Sequence, residues 1–149
     1  NKSLEARGDL ASEARGGGGT ERAALVVVKA AGVATIQDAG RGAWLSRGMP
    51  PSGPLDPELF SAANRAVGNT PGAAAIELLV GSLVLRVRGA LVVSIDGAAP
   101  VRLQDGEELR VAEGPFAVRY VTVAGGVDVP VVLGSRSTLL SARIGGVER

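Results

Sequence analysis

Five motifs place carboxylates, amides, hydroxyls and guanidinium groups at turns, where backbone and side chain can act together. TIQDAGR (35–41) joins Gln37, Asp38 and Arg41 around a turn at Gly40. There Asp38 either caps backbone amides in an Asx-type turn with Arg41 paired to it, or leaves Arg41, with its planar fork, to bind a carboxylate or phosphate. GMPPSGPLD (48–56) is stiffened by Pro50, Pro51 and Pro54. It is either a rigid connector or a loop in which Ser52 and the amides around Gly53 accept an anion. AANRAVGN (62–69) reads as a helix C-terminus with Asn64 cross-linking the helix to a loop, and Glu77 in AAIE (74–77) lies within an apolar strand. A carboxylate there pairs with an arginine inside the fold or stands as an acid or base with a raised pKa, and pairing is the commoner outcome. AGGVDVPVVLGSRST (124–138) brings Asp128 together with Ser135, Arg136, Ser137 and Thr138. Such a mixture can hold an acyl-phosphate or carboxylate oxygen, or its hydroxyls can satisfy their own backbone. It lacks the lysine and spacing of a P-loop.

The residues that are missing narrow the chemistry further. The 149-residue chain has no histidine and no cysteine, which excludes a Ser-His-Asp triad, a Cys-His pair, a histidine proton shuttle and disulfides. No metal site is expected. Sixteen Lys plus Arg against 15 Asp plus Glu leave a formal charge of +1, too little for a polyanion surface, so no nucleic acid partner is expected. No apolar run approaches the roughly 20 residues that span a bilayer, so no membrane partner is expected and the reading is a cytoplasmic protein. Trp44, Phe60, Phe116 and Tyr120 are read as core or as walls of a subsite.

These groups need a scaffold, and the chain from residue 24 has the texture of one. Short Val, Ile and Leu runs separated by Gly, Pro and Asp-Gly predict strands over 24–29, 33–37, 75–80, 83–88, 90–95, 101–103, 108–111 and 116–123. Leu83, Leu85 and Val87, then Leu91, Val93 and Ile95, mark the more buried faces, and Asp96-Gly97 and Asp105-Gly106 are turns, so a meander is expected. One helix is predicted over 57–67, capped by Asp56, opened by Pro57 and ended by Gly68. Its apolar stripe is Leu59, Phe60, Ala63, Ala66 and Val67, with Asn64 and Arg65 turned away. Many short strands with one helix predict a mainly β fold, a closed or half-closed barrel. Residues 1–23 read as a flexible leader or tag remnant broken at Gly16–Gly19, with a short helix considered over 4–14.

In their order, the five motifs resemble the biotin-dependent carboxyltransferase family, which includes the 5-oxoprolinase C subunit, KipA and allophanate hydrolase subunit 2. The resemblance spans about residues 25–149 and implies a cyclophilin-like barrel over 24–149, the N-terminal half of the family's length. A second barrel-like half follows residues 145–149 in family members, so a cleft shared between halves would be only partly present. The implied activity is that of one component of an ATP-dependent 5-oxoprolinase, opening 5-oxoproline to glutamate with A-like and B-like (KipI-like) 5-oxoprolinase subunits as partners. The alternatives are a urea carboxylase or allophanate hydrolase system using biotin, and a non-catalytic regulator that binds a kinase-inhibitor homologue. ATP would then enter through the complex, and the substrate would be a small amide. Under the resemblance Arg41 and Arg136 bind an oxyanion or phosphate, while Asp38, Asp56 and Asp128 act as acid, base or metal-orienting groups. Gln37, Ser52, Asn64, Asn69, Glu77, Ser135 and Ser137 recognise the amide. Peptidyl-prolyl isomerase activity would follow from the fold's name alone, which is no argument for function.

Overall fold

Two 14-residue strands form the spine of the molecule, and each contains a glycine whose sequence context reads as a break. The computed structural model describes residues 2–6 and 22–146. Strand β1 is Lys2–Ala6, β2 Ala24–Gln37, β3 Ala75–Arg88, β4 Leu91–Ile95, β5 Val101–Leu103, β6 Glu108–Val111, β7 Val118–Val123 and β8 Val127–Asp128. All pairings are antiparallel, in the order β5-β4-β7-β3-β2-β1-β8, with β6 also on β3. The expected pairs 24–29 with 33–37 and 75–80 with 83–88 are thus single strands, not separate ones. The reason lies where Gly32 faces Gly81 in the ladder, beside a register shift. Their φ angles are +93° and +126°, and a Cβ on either would collide with backbone carbonyl oxygen of the other strand. The ribbon bends there without breaking, as two glycines permit.

The meander is also replaced. Strands β4 and β5 form a hairpin, but β6 and β7 return to β3, pairing with Leu83–Arg86 and Ile76–Leu79 respectively. A strand as long as β3 has an edge that two short strands share end to end, whereas five-residue β4 could cover only part of it. The result is a mainly β, half-closed barrel. Its core holds Leu25, Ile36, Ile76, Leu78, Leu83, Leu85, Val87, Leu91, Val93, Val121 and Val123. The inward faces expected from Leu83, Leu85, Val87, Leu91 and Val93 are the observed ones, but at the end of β4 Ile95 is only partly buried and Ser94, whose hydroxyl donates to Ala98 O, is buried instead. Lys2–Ala6 is a strand where the sequence allows a helix from residue 4, and the remainder of that stretch, 7–14, like Gly16–Gly19, lies outside the described residues.

Helix α1, Pro57–Ala66, forms as its end signals require. The Asp56 carboxylate accepts from Leu59 N at 3.0 Å, and Gly68 follows with φ +77°. Phe60 and Ala63 pack on β7, with the Phe60 ring edge-on to Tyr120 at 5.4 Å between centroids. Asn64 is fully buried, contrary to the outward position read from the apolar stripe. Phe60 and Tyr120 are core, while Phe116 is 58% exposed and Trp44 is half-buried beneath Arg47, in a 3₁₀ helix spanning Gly42–Arg47. Among the described residues no helix is long and apolar enough to cross a membrane.

Candidate functional site

At the end of β2 the chain emerges as Gln37-Asp38, and segment 135–138 runs beside it. Ile36 N donates to Thr138 Oγ1 at 3.1 Å and Thr138 N to Ile36 O at 2.7 Å, which sets the two segments in register. Ser135 and Ser137 then turn their hydroxyls onto Asp38. Ser135 Oγ donates to Asp38 Oδ1 at 2.5 Å and Ser137 Oγ to the same oxygen at 2.7 Å. Arg136 N donates to Oδ2 at 2.6 Å and Gly40 N to Oδ1 at 2.8 Å. The hydroxyls are fixed in return, because Asp38 N donates to Ser137 Oγ and Ser137 N to Ser135 Oγ, both at 2.9 Å. The 135–137 segment, expected to be able to hold a carboxylate oxygen, holds the chain's own.

Burial by itself would raise the Asp38 carboxyl, but the bonds from Ser135, Ser137, Arg136 N and Gly40 N outweigh it and keep the group below its ordinary 3.8. A carboxylate with four donors is a fixed negative charge and a poor carrier of protons. Arg41 does not pair with it directly. The Arg41 guanidinium, 2% exposed, donates from Nη1 to Ser52 Oγ at 2.8 Å and from Nη2 to the Ser137 carbonyl at 2.5 Å. Among the described residues its buried Nε has no hydrogen-bond partner. Gly145 lies over the guanidinium with φ +71°, and a Cβ there would come within 3.4 Å of Nη2.

Loop 48–56 is held against this rim from both sides. Arg41 N donates to Pro51 O at 2.6 Å, and Gly53 N donates to Gln37 Oε1 at 3.1 Å. The Gly53 amide, expected to face an anion, is therefore occupied. Gln37 Nε2 donates to Thr35 Oγ1 at 3.0 Å, and Thr35 Oγ1 to Glu77 Oε1 at 3.4 Å. Glu77 has no arginine partner among the described residues, so the expected pairing is not found. Its Oε2 accepts from Leu55 N at 2.8 Å and from the Tyr120 hydroxyl at 2.7 Å. Tyr120 Oη in turn accepts from Asp56 N at 3.0 Å. Burial, reinforced by the neighbouring Glu77 carboxylate, pushes the Tyr120 phenol well above its usual range. Glu77 and Tyr120 thus anchor the loop in which Ser52 sits, and Asp56 caps α1.

The structure gathers Gln37, Asp38, Arg41, Ser52, Ser135 and Ser137 into one connected group and attaches Asp56 and Glu77 through Thr35 and Tyr120. Arg136 extends the group outward, since its side chain reaches Asp128 Oδ1 at 3.3 Å while Arg22 meets Oδ2 at 3.4 Å. Asp128 and Arg136 line a recess of about 350 Å³ with Val129, Pro130 and Val131. Asn64 and Asn69 lie apart. Asn64 Nδ2 donates to Pro71 O and Ala73 O, and Asn69 bridges Asn64 Oδ1, Val123 O and Gly125 N. The helix-to-loop cross-link read from Asn64 is therefore present. Thr35 joins the networks without having been singled out, Thr138 joins as one of the hydroxyls named in its motif, and Tyr120, read as core or subsite wall, joins through a hydroxyl given no role in that reading. Thr35 stands inside a quoted motif, whereas nothing local to Tyr120 signals that its hydroxyl meets Glu77. Among the described residues no group of three acidic side chains could hold a metal ion.

The half-closed antiparallel barrel recurs in solved structures of other proteins. The crystal structure of the Kluyveromyces lactis urea amidolyase superposes with a TM-score of 0.79 and 30% identity, over 82% of this chain and 8% of that one. The family described as carboxyltransferase domain, subdomain A and B, matches residues 47–149. The chain belongs to that family. It is 34% identical over 139 residues to the 5-oxoprolinase C subunit of Escherichia coli, covering 83% of this chain and 45% of that protein. It is also 34% identical over 128 residues to the urea amidolyase of Lachancea kluyveri, covering 75% of this chain and 7% of that one. The chain thus spans less than half the length of these curated relatives.

Proposed function

We propose that this chain supplies one wall of the substrate site of an ATP-dependent 5-oxoprolinase, acting in the cytoplasm with A-like and B-like (KipI-like) 5-oxoprolinase subunits. The observation that carries the reading is the Arg41 guanidinium, buried with no carboxylate partner among the described residues and joined to the outer surface through Ser52. A buried cation with neutral partners favours negative charge developing nearby, as on the oxygen of an amide under attack. Residues 24–149 are proposed as one functional unit corresponding to the N-terminal part of the longer relatives. Ser52, Arg136 and Asp128 are the proposed substrate-facing groups, with Arg41 acting from behind Ser52. Asp38, Gln37, Glu77, Ser135 and Ser137 hold them in place.

The chain's own residues do not fit a triphosphate. The amide of Arg136 and the hydroxyls of Ser135 and Ser137 are directed at Asp38. In this reading the partner subunits bind ATP. The equal identity to a urea amidolyase supports a second reading, part of a biotin-dependent urea carboxylase. In that reading biotin would bring the carboxyl group to be transferred. The open recess lined by Asp128, Pro130, Val131 and Arg136 would then offer the ureido ring an apolar wall and a charged pair.

Phosphate release from ATP separates these readings when the cognate partner subunits are assayed with and without this chain. Release that needs both 5-oxoproline and this chain is the expected result. Release that needs urea instead would move the chain to the second reading. Stoichiometric binding to the KipI-like partner with no turnover on either substrate would make it a regulator.

A further inference from the structure

We infer that the Ser52 hydroxyl is the chain's ligand-facing donor, polarised by Arg41 to bind an oxygen of a small carboxylate or amide. The inference rests on the function proposed above and names the atom that would meet the ligand. It starts from charge. Among the described residues Arg41 has no carboxylate within ion-pair distance, and its two bonded nitrogens face a hydroxyl and a backbone carbonyl. An aspartate at position 52 would neutralise the guanidinium, whereas the serine leaves the charge in place and conducts its influence outward.

The hydroxyl is correctly wired for that role. Ser52 Oγ accepts from Arg41 Nη1 at 2.8 Å, and among the described residues its own proton is donated to no acceptor. The residue is partly exposed, while Arg41 behind it is buried. A hydroxyl that accepts from a cation is a stronger donor to the next acceptor, because successive hydrogen bonds polarise one another. Its preferred partner is an oxygen with full or partial negative charge.

The backbone is held in an unusual conformation at the same residue. Ser52 has φ +57°, a left-handed value that glycine adopts readily and serine rarely. It is gripped on both sides by the bonds from Arg41 N to Pro51 O and from Gly53 N to Gln37 Oε1. The facing Gly40 leaves no room to shift, since a Cβ there would lie 2.7 Å from Pro51 O and 3.1 Å from Ser52 O. A strained residue that its surroundings over-determine points to use of its side chain. A glycine would satisfy the backbone better, so the hydroxyl is what serine adds.

The test is an amide NMR titration of the chain with 5-oxoproline, acetate and urea, on wild type, Ser52→Gly and Ser52→Ala. Saturable shifts at the Ser52 and Gly53 amides are expected with at least one of these probes. Both variants should bind it about tenfold or more weakly, as the loss of one charge-assisted hydrogen bond implies. Ser52→Gly leaves Arg41 Nη1 without its acceptor but relieves the left-handed backbone, so it is expected to keep a higher thermal midpoint than Ser52→Ala and to remain folded even if Ser52→Ala unfolds. Wild-type affinity in Ser52→Gly would overturn the inference, and so would the absence of saturable binding of all three probes to the wild type. Ser52-dependent binding without 5-oxoproline-dependent phosphate release would overturn the oxoprolinase reading alone. Release undiminished by Ser52→Gly would overturn the inference alone.

Discussion

Asn64 and Arg41 are both buried polar side chains that tie a loop to the barrel, yet they end differently. Asn64 Nδ2 donates to Pro71 O and Ala73 O, its oxygen accepts from Asn69 Nδ2, and Asn69 also donates to Val123 O and accepts from Gly125 N. That corner is closed, because every bond ends on the chain itself, four of the five on its backbone. Arg41 reaches Ser52 and Ser137 and has Nε left over, while among the described residues the Ser52 proton points to no protein acceptor. A closed network specifies the fold, whereas one with donors remaining can also receive a ligand. The two kinds of buried polar group cannot be told apart by residue type. What separates them is whether each donor ends on the chain itself.

Breaking the Asp38 end of the rim should have the largest effect. Asp38→Ala leaves the hydroxyls of Ser135 and Ser137 and the amides of Arg136 and Gly40 without their acceptor, and a loss of about 3 to 5 kcal/mol in denaturant unfolding is expected. Because the folded carboxyl lies below its ordinary 3.8, this contribution is present above that pH and is lost as the pH falls through the folded value. The gap between wild type and Asp38→Ala should therefore narrow in acid; a gap that widened would contradict the assignment.

The closed corner should respond less strongly and with a different chemical signature. Asn64→Ala is expected to cost about 2 kcal/mol, since the carbonyls of Pro71 and Ala73 lose a donor. Asn64→Asp should be worse than alanine, because a carboxylate would face those carbonyls. Equal midpoints for the two variants would show that the amide donors do not matter.

The smallest effect falls on the link between core and loop. Tyr120→Phe removes the hydroxyl that joins Glu77 to Asp56 N, with an expected cost of about 1 kcal/mol near neutral pH. The folded phenol is raised above its ordinary 10.0, so its favourable contribution holds below pH 10 and fades as the pH rises beyond it. Wild type should then lose stability relative to Tyr120→Phe in strong alkali. With a single tyrosine in the chain, phenolate absorbance follows this group alone, and ordinary titration near 10 would refute the buried bond.

Much of the scaffold is legible in short stretches of sequence. Helix α1 follows from Asp56, Pro57 and Gly68, and the inward faces of β3 and β4 follow from Leu83, Leu85, Val87, Leu91 and Val93. The absence of histidine and cysteine removes whole classes of chemistry, and the ordered motifs point to the carboxyltransferase family. Such features depend on backbone preferences and periodicities within a few residues. Gly32 and Gly81 read wrongly as strand ends because each needs the other, across the ribbon, to become a bend. Glu77, expected to meet an arginine, instead meets Tyr120 and Leu55 N. Asp38 meets Ser137 across 99 positions of sequence, and Arg41 meets the same serine's carbonyl across 96. The sequence determined which polar groups stand at the barrel rim, through motifs that turn the chain locally. Which of them hold one another and which retain a donor depends on how the chain packs, because hydrogen bonds are directional and short and their partners come from distant parts of the chain.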